Sequence, residues 1–181
     1  MIIILFYIFY GTDFNFLENL KVLNAGMCNF DECYYIDPDK YHTLVTFYGN
    51  GSREFMNTTN ESIKNLTNIE ELYLSGNFNI YNINHLKKLK ILDASITIND
   101  NGIYSCGIDD ESIQNLINIE VLNANGNGKI TDVNHLTNLR ILSAKWCENT
   151  YDGRTAYHYN GDYHQCGIDD DGIKNLKILK Y

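Results

Sequence analysis

The block ESIQNLINIEVLNANGNGKITDVNHLTNLRILSA, residues 111–144, lies over ESIKNLTNIEELYLSGNFNIYNINHLKKLKILDA, residues 61–94, at a constant offset of fifty residues and without a gap. Self-similarity at a fixed period outranks local propensity as a guide to the fold: one supersecondary unit is reused, and its copies bury their apolar faces against each other. The frame reaches back towards the first residue. TDFNFLENLKVLNA (12–25) matches TDVNHLTNLRILSA (131–144), and in IIILF (2–6) Ile3 and Leu5 fall twenty positions before Leu23 and Ala25.

Inside each block a smaller unit recurs: apolar, two variable, apolar, one variable, small or apolar, two variable, then a polar closer. Its copies start at Leu20, Leu44, Ile69, Leu89, Ile119 and Leu139 and close at Cys28, Ser52, Asn77, Thr97, Asn127 and Cys147. The fourth positions are Leu23, Phe47, Leu72, Leu92, Leu122 and Leu142, spaced by 24, 25, 20, 30 and 20 residues. The spacing predicts six short parallel strands at 20–25, 44–49, 69–74, 89–94, 119–124 and 139–144, with a seventh near 2–6, and places Leu72, Leu92, Leu122 and Leu142 fully inside.

This unit resembles the leucine-rich repeat, L-x-x-L-x-L-x-x-N/C-x-L over 20 to 29 residues. The resemblance covers about residues 12–179, with departures at inserts after Cys28, Thr97 and Cys147. KITDVNHLTNLRIL (129–142) is similar to the short repeats of internalin-type proteins, and the CGIDD…NL phrase to leucine-rich repeat proteins encoded by large DNA viruses of protists. The resemblance implies an α/β fold: one domain over 1–181, a right-handed solenoid or horseshoe with a parallel sheet of six or seven short strands on its concave face. Since 2–6 reads as a strand and NLKILKY (175–181) reaches the start of another, the array is expected to be incomplete, lacking terminal caps and open to self-association through its ends.

CGIDDESIQNL (106–116) and CGIDDDGIKNL (166–176) nearly repeat each other. Asp109, Asp110 and Glu111 precede Ile113, Leu116 and Ile119, which is the pattern of anions at the start of a short helix whose apolar side closes on the strands. Long units carry this helix; 20-residue units carry only a tight TDVNHL-like turn.

Composition narrows the function. A formal charge of −9 and a sequence pI near 4.9 repel phosphate backbones and anionic membranes, so neither nucleic acid nor a membrane is an expected partner. The five cysteines lack paired CxxC spacing, as suits a reduced, intracellular and cytoplasmic chain, in an infected host cell if the viral resemblance holds. MIIILFYIFY is apolar, but no basic residue precedes it and it has about half of the ~20 residues a spanning helix needs. Four N-x-S/T sequons, at Asn50, Asn57, Asn60 and Asn65, matter only in a secretory compartment.

Candidate chemistry is sparse. His85 and His135 share one repeat slot, as do Cys106 and Cys166, which points to structural hydrogen bonds and burial. The Asp109–Asp110 and Asp169–Asp171 clusters have no EF-hand spacing, and His158 and His164 lack an evident third ligand. No phosphate loop, nucleophile elbow or HExxH occurs, so no enzyme, cofactor or metal is expected.

The surface remains. The residues flanking the strand leucines (Val22, Asn24, Thr46, Tyr48, Glu71, Tyr73, Ile91, Asp93, Val121, Asn123, Ile141 and Ser143) are expected to line the concave face. The three inserts, 29–42, 98–105 and 146–165, should emerge along one edge, and the last carries Trp146, Tyr151, Tyr157, Tyr159 and Tyr163 in a paratope-like composition. The expected function is non-enzymatic binding of another protein, with this loop ahead of the concave face. A fragment of a longer repeat protein and a surface or virion structural protein are the alternatives.

Overall fold

Within each unit the side chains alternate between two sides of the backbone, and the strand forms where that alternation is strict. The computed structural model describes residues 3–5, 15, 17–26, 44–47, 58–99, 102–145 and 166–176. Strands β1 (Ile3–Leu5), β2 (Val22–Asn24), β3 (Leu44–Phe47), β4 (Glu71–Tyr73), β5 (Ile91–Asp93), β8 (Val121–Asn123) and β9 (Ile141–Ser143) form one sheet. All its pairings are parallel, with Leu23, Leu72, Leu92, Leu122 and Leu142 in one register across five strands. The chain is therefore α/β, with an open parallel sheet and, among the described residues, three one-turn helices: α1 (Asn60–Ile63), α2 (Asp110–Ile113) and α3 (Asp170–Ile173).

The strands sit where the pattern places them but are shorter, mostly three residues against an expected six. Backbone pairing nevertheless continues past their ends, with Ala25 N donating to Tyr73 O (2.9 Å) and Leu74 N to Asp93 O (2.8 Å). A small antiparallel hairpin, β6 (Thr97–Asn99) with β7 (Gly102–Tyr104), occupies the insert after Thr97, and Tyr104 tucks its ring inward.

The stacking order departs from chain order: it runs β1-β3-β2-β4-β5-β8-β9, so β3 lies between β1 and β2, and β4 takes the place beside β2. Side-chain bonds at a near-fifty-residue offset show why. Asn68 Nδ2 donates to Glu18 O (2.7 Å), and Asn15 accepts from Asn65 N (2.7 Å) while donating to Glu61 O (2.9 Å). These tie α1 and the turn before β4 onto the turn before β2, leaving β3 the far side.

The core sits between the sheet and the helix-bearing turns. Leu23, Leu72, Leu92 and Leu122 are fully buried, and Ile63, Leu66, Ile69, Ile80, Ile83, Leu86, Ile113, Leu116 and Ile119 close over them. Each contributes about 1.5–3 kcal/mol by leaving water. Leu142 is an exception to the expected burial: it is only partly buried, because β9 is the last described strand and nothing described stacks beyond it.

The unit closers tie the turns together. Asn77 Nδ2 donates to Ala25 O (2.7 Å) while its Oδ1 accepts Asn79 N (2.9 Å). Asn127 Nδ2 donates to Ala94 O (2.8 Å) and Ile108 O (3.1 Å), and its Oδ1 accepts Lys129 N (2.9 Å). Cys28, Ser52 and Cys147 lie outside the described residues. The repeated CG follows from the same packing. A Cβ on Gly107 would meet Ile80 O at 2.4 Å, and one on Gly167 would meet Ile130 O at 2.6 Å, so only glycine lets each helix-bearing turn close on the previous one.

Candidate functional site

With the leucines turned inward, the residues between them form the opposite, open face of the sheet. Parallel register lines them up in lanes. The first lane is Val22, Glu71, Ile91, Val121 and Ile141 and the second is Asn24, Tyr73, Asp93, Asn123 and Ser143, running across β2, β4, β5, β8 and β9. At about 4.8 Å per strand each lane is ~19 Å long. Exposure rises along the first: Val22 is buried, contrary to expectation, Glu71, Ile91 and Val121 are half-buried, and Ile141 is 55% exposed.

The second lane is held in place by its own chain. Asn24 Oδ1 accepts Gly26 N (3.2 Å), Asp93 Oδ1 accepts Ser95 N (3.0 Å), and Asn123 Oδ1 accepts Asn125 N (3.2 Å). Tyr73 Oη donates to Glu71 Oε2 (2.9 Å), bridging the lanes, and Ser143 Oγ donates to Asn125 Oδ1 (2.9 Å). Fixed amides, hydroxyls and carboxylates beside β-branched side chains make a preorganised surface that can grip a partner at little entropic cost.

A third row, not anticipated from the sequence, runs along the strand starts. Lys21, Glu70, Lys90, Glu120 and Arg140 alternate in sign on successive strands. Glu70 carboxylate oxygens lie 2.8 Å from Lys21 Nζ and 3.0 Å from Lys90 Nζ, and Arg140 Nη1 lies 3.7 Å from Glu120 Oε2. Hydrogen bonds from Lys21, then Lys90, pull the Glu70 carboxyl from 4.5 down to about 2. The Glu70 bond in turn raises Lys90. The signal was present in the second position of each unit, which reads K, E, K, E, R apart from Val45 of β3.

The candidate chemical residues take structural places. His85 Nε2 lies 3.0 Å from Ile63 O and His135 Nε2 3.0 Å from Ile113 O, each tethering a short turn to the end of a helix. Asp109 accepts Ser112 N (2.9 Å), Asp169 accepts Gly172 N (3.0 Å), and Asp110 accepts Thr131 N (2.7 Å). The backbone N–H of Asn134 holds Asp132 below its ordinary carboxylate range. Cys106 is buried and its thiol is pushed up to about 12 by desolvation, while Cys166 is half-buried. Sequence reading missed the asparagine staples. Asn84 donates to Glu111 O and accepts Asn115 N, and Asn134 repeats this with Asp171 O and Asn175 N. Their signal is the N-x-L run shared with Asn15.

Thr46 pairs in the backbone with Ile4 and Asn24. Tyr48, Trp146, Tyr151, Tyr157, Tyr159 and Tyr163 lie outside the described residues, as do His158 and His164. Among the described residues no group of three or more His, Cys, Asp or Glu could hold a metal ion, and no helix is long and apolar enough to cross a membrane. No protein-family model matches the chain, and no curated protein matches it.

Proposed function

We propose that the chain is a leucine-rich repeat solenoid, non-enzymatic, that binds another protein through the open face of its sheet. The observation that carries this reading is the pair of registered lanes: Ile91, Val121 and Ile141 beside Tyr73, Asp93 and Asn123, displayed on a backbone held by side-chain-to-turn hydrogen bonds. The engagement of His85 and His135 with backbone carbonyls and the high pKa of the Cys106 thiol also favour a binding role over a catalytic one. In this reading 146–165, which follows β9 in the chain, is a second contact element, and both partner and compartment are intracellular.

The test is capture from lysate by three purified proteins: wild type, the lane variant Ile91→Ser/Val121→Ser/Ile141→Ser, and a control altered on the helix side, Gln114→Ser/Thr137→Ser. Proteins enriched by wild type and control but lost from the lane variant support the open face. Equal enrichment by all three contradicts it. Replacing 151–163 with a Gly/Ser linker separates the loop's share from that of the lanes.

A further inference from the structure

On the helix side, Phe78 and Tyr81 stand 44% and 62% exposed in the turn after β4. They and Asn82 line a groove together with Thr59, Asn60, Glu61 and Lys64 of α1 and its flanks.

The internal repeat shows that folding does not require the rings. Fifty residues on, Gly128 and Thr131 occupy the same places in the same turn. The rest of that turn is reproduced: Ile80 and Ile130, and Ile83 and Val133, are buried, Asn77 and Asn127 tie the backbone, and His85 and His135 reach equivalent carbonyls. Aromatics that the turn can do without, left in water beside a groove, point to a ligand.

The groove's polar groups narrow that ligand. Its charges cancel, since Lys64 Nζ lies 2.7 Å from Glu61 Oε2. Asn60 Oδ1 accepts both Tyr81 N (3.0 Å) and Asn82 N (3.1 Å), which clamps the backbone under the Tyr81 ring to α1 and leaves the Nδ2 donor of Asn60 for another group. Amides and hydroxyls both donate and accept, as sugar hydroxyls do. Two aromatic rings beside the Asn60 amide and the Thr59 hydroxyl, with Lys64 and Glu61 paired to each other, match a pyranose ring, apolar on its face and polar on its rim. A proline-rich peptide calls for an aromatic-lined groove, which the α1 residues do not supply.

We infer that this groove binds a neutral saccharide, one ring stacked on Tyr81 or Phe78 with its hydroxyl rim turned to Asn60 and Thr59. The site is independent of what the open face holds. The test is saturation-transfer NMR and titration calorimetry on the full chain with neutral cello-, malto-, chito- and mannopentaose, with a proline-rich decapeptide alongside. Binding of one oligosaccharide that Phe78→Gly/Tyr81→Thr weakens about tenfold or more, with circular dichroism and melting unchanged, supports the inference. No binding by any of the four, equal binding by the variant, or binding of the decapeptide alone overturns it. Should the double variant misfold, Phe78→Gly and Tyr81→Thr made singly carry the same test, and wild-type affinity in both overturns the inference as well.

Discussion

Asn127→Ala puts the turn-tying role of the unit closers to the test. The side chain is buried and donates to two carbonyls, Ala94 O and Ile108 O, both on fully buried residues. Alanine removes both donors and offers no replacement. Each stranded buried carbonyl costs about 1–3 kcal/mol, whereas Lys129 N, on an exposed residue, can turn to water. The expected loss is about 2–5 kcal/mol, a large share of the ~5–15 kcal/mol that holds a domain together. By urea titration, with a slope of about 1–3 kcal/mol/M, the midpoint should fall by roughly 1–3 M with the slope unchanged. Asn127→Asp sharpens the test, since it sets a carboxylate against two carbonyl oxygens. Its pKa should be raised in the folded state, so that state holds the extra proton and stability falls as pH rises above the unfolded carboxyl value, about 4. Asn138→Ala, which loses one exposed bond to Ile117 O, should cost under about 1 kcal/mol. If Asn127→Ala costs no more than Asn138→Ala, the closers do not tie the turns and the account of their burial is wrong.

Leu122→Ala should cost about 2–5 kcal/mol through lost transfer energy and a cavity, while Ile141→Ala, at an exposed lane position, should cost under about 1; equal losses by denaturant titration would mean the register is wrong. Gly107→Ala drives a methyl to 2.4 Å from Ile80 O and should cost about 1–3 kcal/mol or more; a neutral result in a thermal melt would show that the turns do not close as described. Glu70, held near 2 against 4.5 unfolded, adds stability that is fully present above about 4.5 and lost as pH falls through about 2. Both lysines are more than half exposed, so solvent screens the pairs and their worth is small. Glu70→Gln should therefore lower stability slightly at pH 7 and by much less near pH 2, where about half of the folded-state carboxyl is already protonated, and an equal loss at both would rule out the ion pairs as its cause.

The inward residues were legible because they obey one period: Leu72, Leu92 and Leu122 recur at the fourth position, and Asn77 and Asn127 at the ninth, where a single geometry serves both copies. Strand order was not legible. The apolar code of Leu44–Phe47 suits any neighbour in a parallel stack, and the choice falls to bonds such as Asn68 to Glu18 O that carry no periodic mark. Leu142 was misjudged for a related reason: equivalence in sequence assumes equivalent neighbours, and β9 has a described neighbour on one side only. At the candidate surface, alternation tells which residues turn outward, as with Ile91 and Asp93, but not that Val22 is covered. The alternating charge row was visible in Lys21, Glu70, Lys90, Glu120 and Arg140 once the strands were side by side.

The central claim is the registered parallel stack that makes the lanes, and hydrogen-bond scalar couplings in deuterated wild-type protein measure it without a mutation. The account predicts correlations from the amides of Glu71, Ile91, Val121 and Ile141 to the carbonyl carbons of Lys21, Glu70, Lys90 and Glu120 in turn, the bonds standing at 3.0, 3.1, 3.0 and 3.0 Å. Correlations linking these amides to antiparallel or shifted partners, or Glu71 to a residue of β3 in place of Lys21, would contradict it.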